Sequence, residues 1–152
     1  MLVDSIEIKV SKKDALKNMI EKIPLISKIV QFNKTIKDVN LRYIEYEVLK
    51  YKVNRRDGEL LRGDYKIFIV NTYTGYTNMV DKIPETVKRY ISKDCVEQNK
   101  INDFILKNNV RCEIEKYYRK FEEEDIYLVD KFSIYKPYWT CKYNGKNIFL
   151  EA

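Results

Sequence analysis

The chain has no histidine, and its 152 residues include only two alanines, four glycines and three prolines. The absence of histidine excludes Ser-His-Asp and Cys-His nucleophilic pairs and the usual histidine-containing zinc sites. The glycines form neither a Walker A loop nor a G-x-G-x-x-G fingerprint, so no backbone cradle for phosphate is predicted. We therefore expect no catalytic residues, no metal site and no cofactor, and we expect that the protein is not an enzyme.

Cysteines and long apolar runs are also scarce. Cys95, Cys112 and Cys141 are odd in number and far apart, which fits neither a disulfide framework nor a C-x-x-C metal site. The N-terminus, M-L-V-D-S-I-E-I-K-V, lacks the basic region and apolar core of a signal peptide. No apolar run approaches the roughly 20 residues that span a bilayer. These absences predict a cytoplasmic protein without a membrane span.

Hydrophobic residues make up 45% of the chain and aromatic residues 13%, which is ordinary for a folded globular protein. The length fits a single domain over residues 1–152, with residues 1–80 and 81–152 as two subunits within it. Lysine, isoleucine, tyrosine and asparagine are abundant, and all four have A/T-rich codons. We therefore expect a bacterial or phage source, and part of the lysine excess reflects codon usage.

The net charge of +6 is modest and uneven along the chain. Residues 1–80 hold 15 Lys and Arg against 10 Asp and Glu, whereas residues 81–152 hold 14 against 13. The basic excess is thus concentrated in the first half of the chain. A mild positive field of this kind favours weak association with anionic surfaces but identifies none.

In the first half, the pattern predicts two strands that flank a turn. The alternating segment 5–10 indicates a short first strand. Ser11 and Asp14 predict the start of a helix over about 12–22, and Pro24 the start of another. Two strands over 39–54 and 65–72 would then flank a turn at Arg55–Asp64. Apolar side chains occupy both parities of the longer strand, which indicates that both of its faces are partly covered.

The second half predicts helices followed by a hairpin. A short helix is expected from Pro84 to about Ser92, and an amphipathic helix over about 100–121. The stripe of the second helix is Leu106, Val110, Ile114, Tyr117 and Phe121. Strands over 126–143 and 146–151 flank Asn144-Gly145, the preferred pair for a type I′ turn. Pro137 cannot donate to a ladder, so its strand is expected to be an edge or to bulge there.

These elements predict an α+β fold, with an antiparallel sheet and helices packed on one face. Two acidic-Lys-Ile-Pro segments, at 21–24 and 81–84, each precede a strand pair with a Tyr-Lys step at Tyr51 or Tyr135. Two tandem helix-hairpin units are the corresponding hypothesis, with the helix at 100–121 as an insertion in the second. Chance matching in a chain rich in Lys, Ile and Tyr is the competing explanation.

The strand ending I-F-I-V-N-T-Y-T-G resembles the V-D-A-x-T-G strand ending of PepSY-type domains. Val70, Asn71, Thr74 and Gly75 stand in the matching places, with Asn71 where that pattern has Asp. The resemblance covers about twenty residues, including the C-terminal P-Y-W and N-I-F-L-E-A segments, which are similar to strand pairs of uncharacterised bacterial proteins. It implies a helix-plus-antiparallel-sheet arrangement and carries no functional residue.

Three groups of side chains that could in principle take part in catalysis or bind a cation also have simple structural interpretations. Glu45 and Glu47 lie two apart on one strand face, where acid/base or cation chemistry competes with a solvated face beside basic partners. The acidic run at 122–125 is typical of a solvated helix end. Cys141 lacks a basic neighbour of the right parity, which favours a buried structural cysteine.

The remaining candidate is a basic and aromatic binding surface. Its residues are Arg55, Arg56, Arg62, Tyr135, Lys136, Tyr138, Trp139 and Lys142. We expect a non-catalytic protein-interaction or structural module with an unidentified protein partner. The strand edge at Pro137 also favours pairing of two copies into a homodimer. The alternative is weak nucleic-acid binding, with the tyrosines and Trp139 stacking on bases while lysines and arginines meet phosphates.

Overall fold

The computed structural model describes residues 1–21, 39–57, 60–117, 126–143 and 146–152. Within those ranges the chain forms two α-helices and seven strands. In chain order they are β1 (Leu2–Ser5), α1 (Lys12–Glu21), β2 (Asn40–Asp57), β3 (Leu60–Asn71), β4 (Thr77–Val80), β5 (Val87–Tyr90), α2 (Asp103–Tyr117), β6 (Ile126–Tyr143) and β7 (Lys146–Glu151). The predicted mixture of helices with a mostly antiparallel sheet is confirmed.

All seven strands belong to one sheet, in the order β4-β3-β2-β6-β1-β5, with β7 also paired to β6. At its centre, β2 and β6 pair antiparallel from Asn40↔Thr140 to Val53↔Ile126. The register shifts once, between Lys50 and Tyr51. That shift leaves Val129 of β6 without a direct partner on β2, as in a β-bulge. Because β2 and β6 come from opposite halves of the sequence, their ladder joins the two halves.

Two short strands share the outer edge of β6. Ile6 N–H donates to the Tyr135 carbonyl at 2.9 Å, extending the parallel pairing of β1, and Ala152 N–H donates to the Pro137 carbonyl at 3.2 Å. The backbone N and C=O of one residue point to the same side of a strand. The nitrogen of Pro137, which carries no hydrogen to donate, therefore faces the outer edge of β6 between the end of β1 and the start of β7. Pro137 is fully buried. Strands lie on both sides of β6 around Pro137, and the register shift with β2 lies elsewhere, so the prediction that the strand is an edge or bulges there is wrong.

Both faces of β2 are buried, as its sequence indicated. Leu49 is 1% exposed on one face and Val48 is 0% exposed on the other. Helix α2 contributes to the first of these cores by packing on β2 and β3. The cluster consists of Leu49, Val53, Phe68, Val70, Leu106, Val110 and Ile114. The first three residues of the predicted helical stripe are thus buried, which confirms that part of the pattern.

Helix α1 begins with the predicted capping pair. Ser11 Oγ accepts a hydrogen bond from Asp14 N–H at 3.2 Å and donates to Asp14 Oδ2 at 2.7 Å. This pair satisfies one of the unpaired N–H groups of the first helical turn. Farther along the helix, Met19 packs with Val39 and Cys141. Cys141 is 3% exposed, so the prediction of a buried cysteine is confirmed.

The helix predicted from Pro84 to Ser92 is wrong, because the segment contains β5 instead. Its four residues pair antiparallel with β1, from Leu2↔Tyr90 to Ser5↔Val87. Val87 and Tyr90 are good strand formers, and a partner strand from the far N-terminus decides between strand and helix. The first strand correspondingly lies at Leu2–Ser5 rather than at 5–10.

The turn predicted at Arg55–Asp64 is also wrong, since the β2–β3 ladder runs on to Asp57↔Leu60. Residues 58–59, between those strands, lie outside the described ranges, as do three other predicted features. These are the helix starting at Pro24, the acidic run at 122–125 and the Asn144-Gly145 turn.

The break after β3 occurs where the sequence places it. Asn71 Oδ1 accepts hydrogen bonds from Tyr73 N–H at 2.9 Å and Thr74 N–H at 3.0 Å, closing a tight turn. Gly75 follows with φ of 79°, a backbone conformation that side-chain-bearing residues rarely adopt. The chain then returns as β4 beside β3.

Both halves of the chain place a helix before a long strand and its antiparallel partner. Helix α1 precedes the β2–β3 pair, and α2 precedes the β6–β7 pair. The helices are exchanged between the pairs, because α2 packs on β2 and β3 while α1 packs on Cys141 of β6. The division of the chain into two tandem helix-hairpin units stays a prediction.

The packing of α2 predicts unequal costs for neighbouring substitutions. Leu106 is 4% exposed within the cluster on β2 and β3, whereas Ile105 is 39% exposed on the same helix. Leu106→Ala removes buried methyl groups and leaves a cavity, so we expect the free energy of unfolding to fall by about 2–5 kcal/mol. Urea unfolding measures this cost. Ile105→Ala is the control, with an expected change below about 1 kcal/mol, and equal losses in the two variants would contradict the packing.

Candidate binding surface

The predicted aromatic surface is divided by the alternation of β6. Tyr135 and Trp139 oppose Glu45 and Leu41 of β2 on one face, whereas Tyr138 opposes Arg42 on the other. Successive side chains of a strand point to opposite faces. Lys136 and Lys142 share the parity of Tyr138. The five predicted residues of β6 therefore do not form one continuous surface.

Tyr138 is not available for stacking, because it is 9% exposed and its hydroxyl is engaged. Its hydroxyl oxygen lies 2.6 Å from that of Tyr46 in a hydrogen bond. Asn71 Nδ2 donates to Tyr46 Oη at 3.0 Å and extends the chain of bonds to β3. Burial, and then the hydrogen bond to Tyr46, raise the pKa of Tyr138 far above its ordinary value. This network holds β6, β2 and β3 together.

The neighbours of Tyr138 are also engaged within the protein. Lys136 forms an ion pair with Glu151 of β7. Trp139 Nε1 donates to the Val10 carbonyl at 2.8 Å. Tyr135 is half-buried, and burial followed by the negative charges of Glu45 and Glu47 raises its pKa. Lys142 alone of the five is exposed.

The three predicted arginines lie at the distal end of the β2–β3 pair, where Arg55 pairs with Arg62 and Arg56 with Leu61 in the backbone register. Their side chains lie outside the described part of the structure. Arg55 is thirteen residues along β2 from Arg42, the partner of Tyr138. At about 3.3 Å per residue, this separates the arginines from Tyr138 by about 40 Å. A single binding surface containing both groups is not formed.

Glu45 and Glu47 do not form a solvated face, so that interpretation is wrong. Glu45 Oε1 accepts from Ser133 Oγ at 2.6 Å, and Glu45 Oε2 accepts from Asn99 Nδ2 at 2.9 Å. The side chain of Glu47 is 17% exposed, and its Oε2 lies 3.3 Å from Lys131 Nζ in an ion pair without hydrogen-bond geometry. Ser133 and Asn99 thus bind Glu45, and Lys131 pairs with Glu47. Each has a structural partner, and neither is placed for acid/base work.

The sequence prediction missed an exposed segment at the start of β6. Tyr127, Leu128 and Val129 are 53%, 49% and 51% exposed, although they belong to a strand. The sequence signal is the apolar run I-Y-L-V at 126–129, which does not alternate and so places apolar side chains on both faces of the strand. The bulge at Val129 disrupts the alternation locally.

The outer edge of β6 beside this segment is unpaired within the described part of the chain. The Tyr135 carbonyl points to that edge, because it accepts from β1, and Lys131 points the same way four residues earlier. Lys131 N–H donates to the side chain of Asp130 at 2.9 Å rather than to a strand. The edge therefore retains backbone groups that another strand can pair with.

Across the described ranges, no group of three or more His, Cys, Asp and Glu side chains is arranged to hold a metal ion. None of the helices described is both long enough and apolar enough to cross a membrane. Within the described ranges, the unpaired outer edge of β6 is the best candidate for binding.

The raised pKa values of four partly or fully buried tyrosines predict a loss of stability at high pH. Burial is the main cause of a raised pKa in Tyr43, Tyr51, Tyr135 and Tyr138, relative to 10.0. Above about pH 10 the unfolded chain releases these protons while the folded chain retains them, so the free energy of unfolding falls as pH rises. Tyr138→Phe should reduce that fall and cost about 1 kcal/mol at neutral pH through the lost hydrogen bond. Unfolding at several pH values measures both effects.

Tyr90→Phe is the matched control, because Tyr90 is 81% exposed. It should change neither the neutral stability nor its decline at high pH. An unchanged alkaline decline in Tyr138→Phe would refute the assignment of Tyr138 as a main contributor.

No protein-family model matches the chain, no curated protein matches it, and no solved structure matches its fold. The resemblance to PepSY-type domains stays a prediction.

Proposed function

We propose that this chain is a non-catalytic protein-interaction module that binds through the open edge of β6, and that its partner is a second copy of the same chain. The observation that carries the proposal is the continuous exposure of residues 127–131 in a strand whose outer backbone edge is unpaired within the described ranges. Strand edges of this kind add a further strand through main-chain hydrogen bonds.

Farther along β6, the same outer edge is paired with two other strands of the protein. Ser5 of β1 lies beside Tyr135, and β7 pairs from Tyr138 to Tyr143. These short strands cover the second half of β6 and stop at Tyr135. A further strand placed before that point would continue the existing pairing without displacing any described strand.

A second copy suits this edge because two identical antiparallel strands form a closed pair about a twofold axis. The segment carries an apolar run, Tyr127 to Val129, followed by one acidic and one basic residue, Asp130 and Lys131. An antiparallel copy thus brings an apolar run and both signs of charge to the interface. The Asp130 carboxylate accepts the hydrogen bond of Lys131 N–H. A partner strand must displace this carboxylate before it can pair there, which limits nonspecific pairing.

Several finer expectations remain predictions beside this proposal. They are the packing of all helices on one face, the tandem units 1–80 and 81–152, and the cytoplasmic location. The nucleic-acid alternative is not supported at its predicted residues, because Tyr138 is buried and Lys136 is paired with Glu151.

The proposal predicts concentration-dependent dimers. Light scattering after size-exclusion chromatography should show a mass approaching twice 18.3 kDa as the loaded concentration rises. Leu128→Lys should shift the protein to monomer, because it places a lysine in each strand of the pair and a charged edge residue opposes strand addition. The fold should persist, since Leu128 is 49% exposed.

Val87→Lys is the control for added charge, because Val87 is 40% exposed in β5. It should leave the dimer intact. A wild-type chain that stays monomeric at the highest soluble concentration, or a dimer that survives Leu128→Lys, would overturn the proposal.

A further inference from the structure

Three side chains form a row across the sheet at the end opposite Tyr138. Tyr65 of β3 pairs directly with Lys52 of β2, and Lys52 pairs on its other side with Tyr127 of β6. Directly opposed residues in a sheet project from the same face. The row therefore places one lysine between two tyrosines on three adjacent strands.

Both tyrosines present their rings to solvent. Tyr65 is 56% exposed and Tyr127 is 53% exposed. Tyrosine rings are usually placed where at least part of the ring is buried, so two exposed rings in one row leave apolar area that a flat ligand can cover. Neighbouring strands are about 4.8 Å apart, which separates the two tyrosine positions by about 10 Å.

The lysines beside this row are held close to the aromatic surface. Lys50 Nζ lies 4.9 Å from the centroid of the Tyr65 ring, and Lys52 Nζ lies 6.0 Å from it. A Cβ atom at Gly63 would lie 2.7 Å from Lys52 Cε, so the glycine leaves room for the lysine stem to cross β3. Both ammonium groups thus lie over the Tyr65 ring, beside any base that stacks on the uncovered part of that ring.

The surrounding sequence is basic. Residues 50–66 hold six Lys and Arg against three Asp and Glu, in a chain whose net charge is +6. A strand surface with exposed aromatic rings and a local positive charge matches the chemistry of single-stranded nucleic acid, in which bases stack on rings and phosphates meet cations. Duplex nucleic acid does not offer its base faces to such a surface.

We infer that the row Tyr65–Lys52–Tyr127 is a binding site for single-stranded nucleic acid, with the two tyrosines stacking on bases and Lys50 and Lys52 contacting phosphates. This site lies at other residues than the aromatic surface predicted from sequence. It uses a face of the sheet, whereas strand pairing uses the backbone edge of β6. Binding is expected to depend weakly on sequence, because every base has a face that can stack.

The test is fluorescence anisotropy with a labelled oligothymidylate of about twelve nucleotides. At about 50 mM salt the wild-type chain should bind, and the affinity should fall as salt rises. Tyr65→Ala and Tyr127→Ala should each weaken binding by about 5- to 100-fold. Tyr65→Phe should retain it, since the ring remains. Lys52→Gln should lower the slope of log affinity against log salt by about 0.7.

Tyr90→Ala is the matched control, because Tyr90 is 81% exposed on β5, away from the row. It should bind as the wild-type chain does. The inference is overturned by a failure to bind at about 50 mM salt or by equal losses in Tyr90→Ala and Tyr65→Ala. Competition by polyglutamate as strong as that by unlabelled oligothymidylate would also overturn it, since that result assigns the site to acidic peptides.

Discussion

The antiparallel ladder between β2 and β6 is the interaction on which the rest of the structure depends. It joins residues about ninety positions apart in sequence, and each described part of the core is built on one of its strands. β3 extends the sheet from β2, while β1 and β7 extend it from β6. Apart from this ladder, the described strands of the two halves are joined by the short pairings of β1 with β5 and with β6. Long-range strand pairing of this kind makes folding slow, because loop closure precedes the stabilising contacts.

The same ladder explains why polar groups inside the sheet are tolerated. Tyr46 and Tyr138 meet across it through their hydroxyls, and Glu45 receives hydrogen bonds from Ser133 and Asn99. A buried polar group is costly unless it is paired. These partners come from distant parts of the chain, so the polar pairs favour the correct register as well as stabilising it.

Local signals were sufficient to predict some elements. The bounds of β6 and β7 follow from two runs of strand formers on either side of Asn144-Gly145, and the buried stripe of α2 follows from apolar spacing. The start of α1 follows from Ser11 and Asp14. In each case the deciding residues are neighbours in sequence. The antiparallel character of most of the sheet follows from those strands.

Features decided by distant partners could not be predicted in the same way. β5 forms because β1 lies beside it, and the strand formers Val87 and Tyr90 do not decide by themselves between strand and helix. Tyr138 was predicted as a surface residue from its lysine neighbours, but Tyr46 and the rest of the sheet bury it. The row of Tyr65, Lys52 and Tyr127 depends on a register that includes a bulge, which a strand pattern alone does not specify.

The proposed function depends on the outer edge of the first part of β6, which none of the described strands pairs with. Hydrogen exchange followed by NMR tests it most directly, because it resolves single amides. At low protein concentration, we predict fast exchange at Lys131, whose N–H points to the outer edge, and slow exchange at Phe132, which points to β2. At high concentration, Lys131 should become protected as a second strand pairs there. Slow exchange of Lys131 in the dilute monomer, equal to that of Phe132, would contradict the open edge.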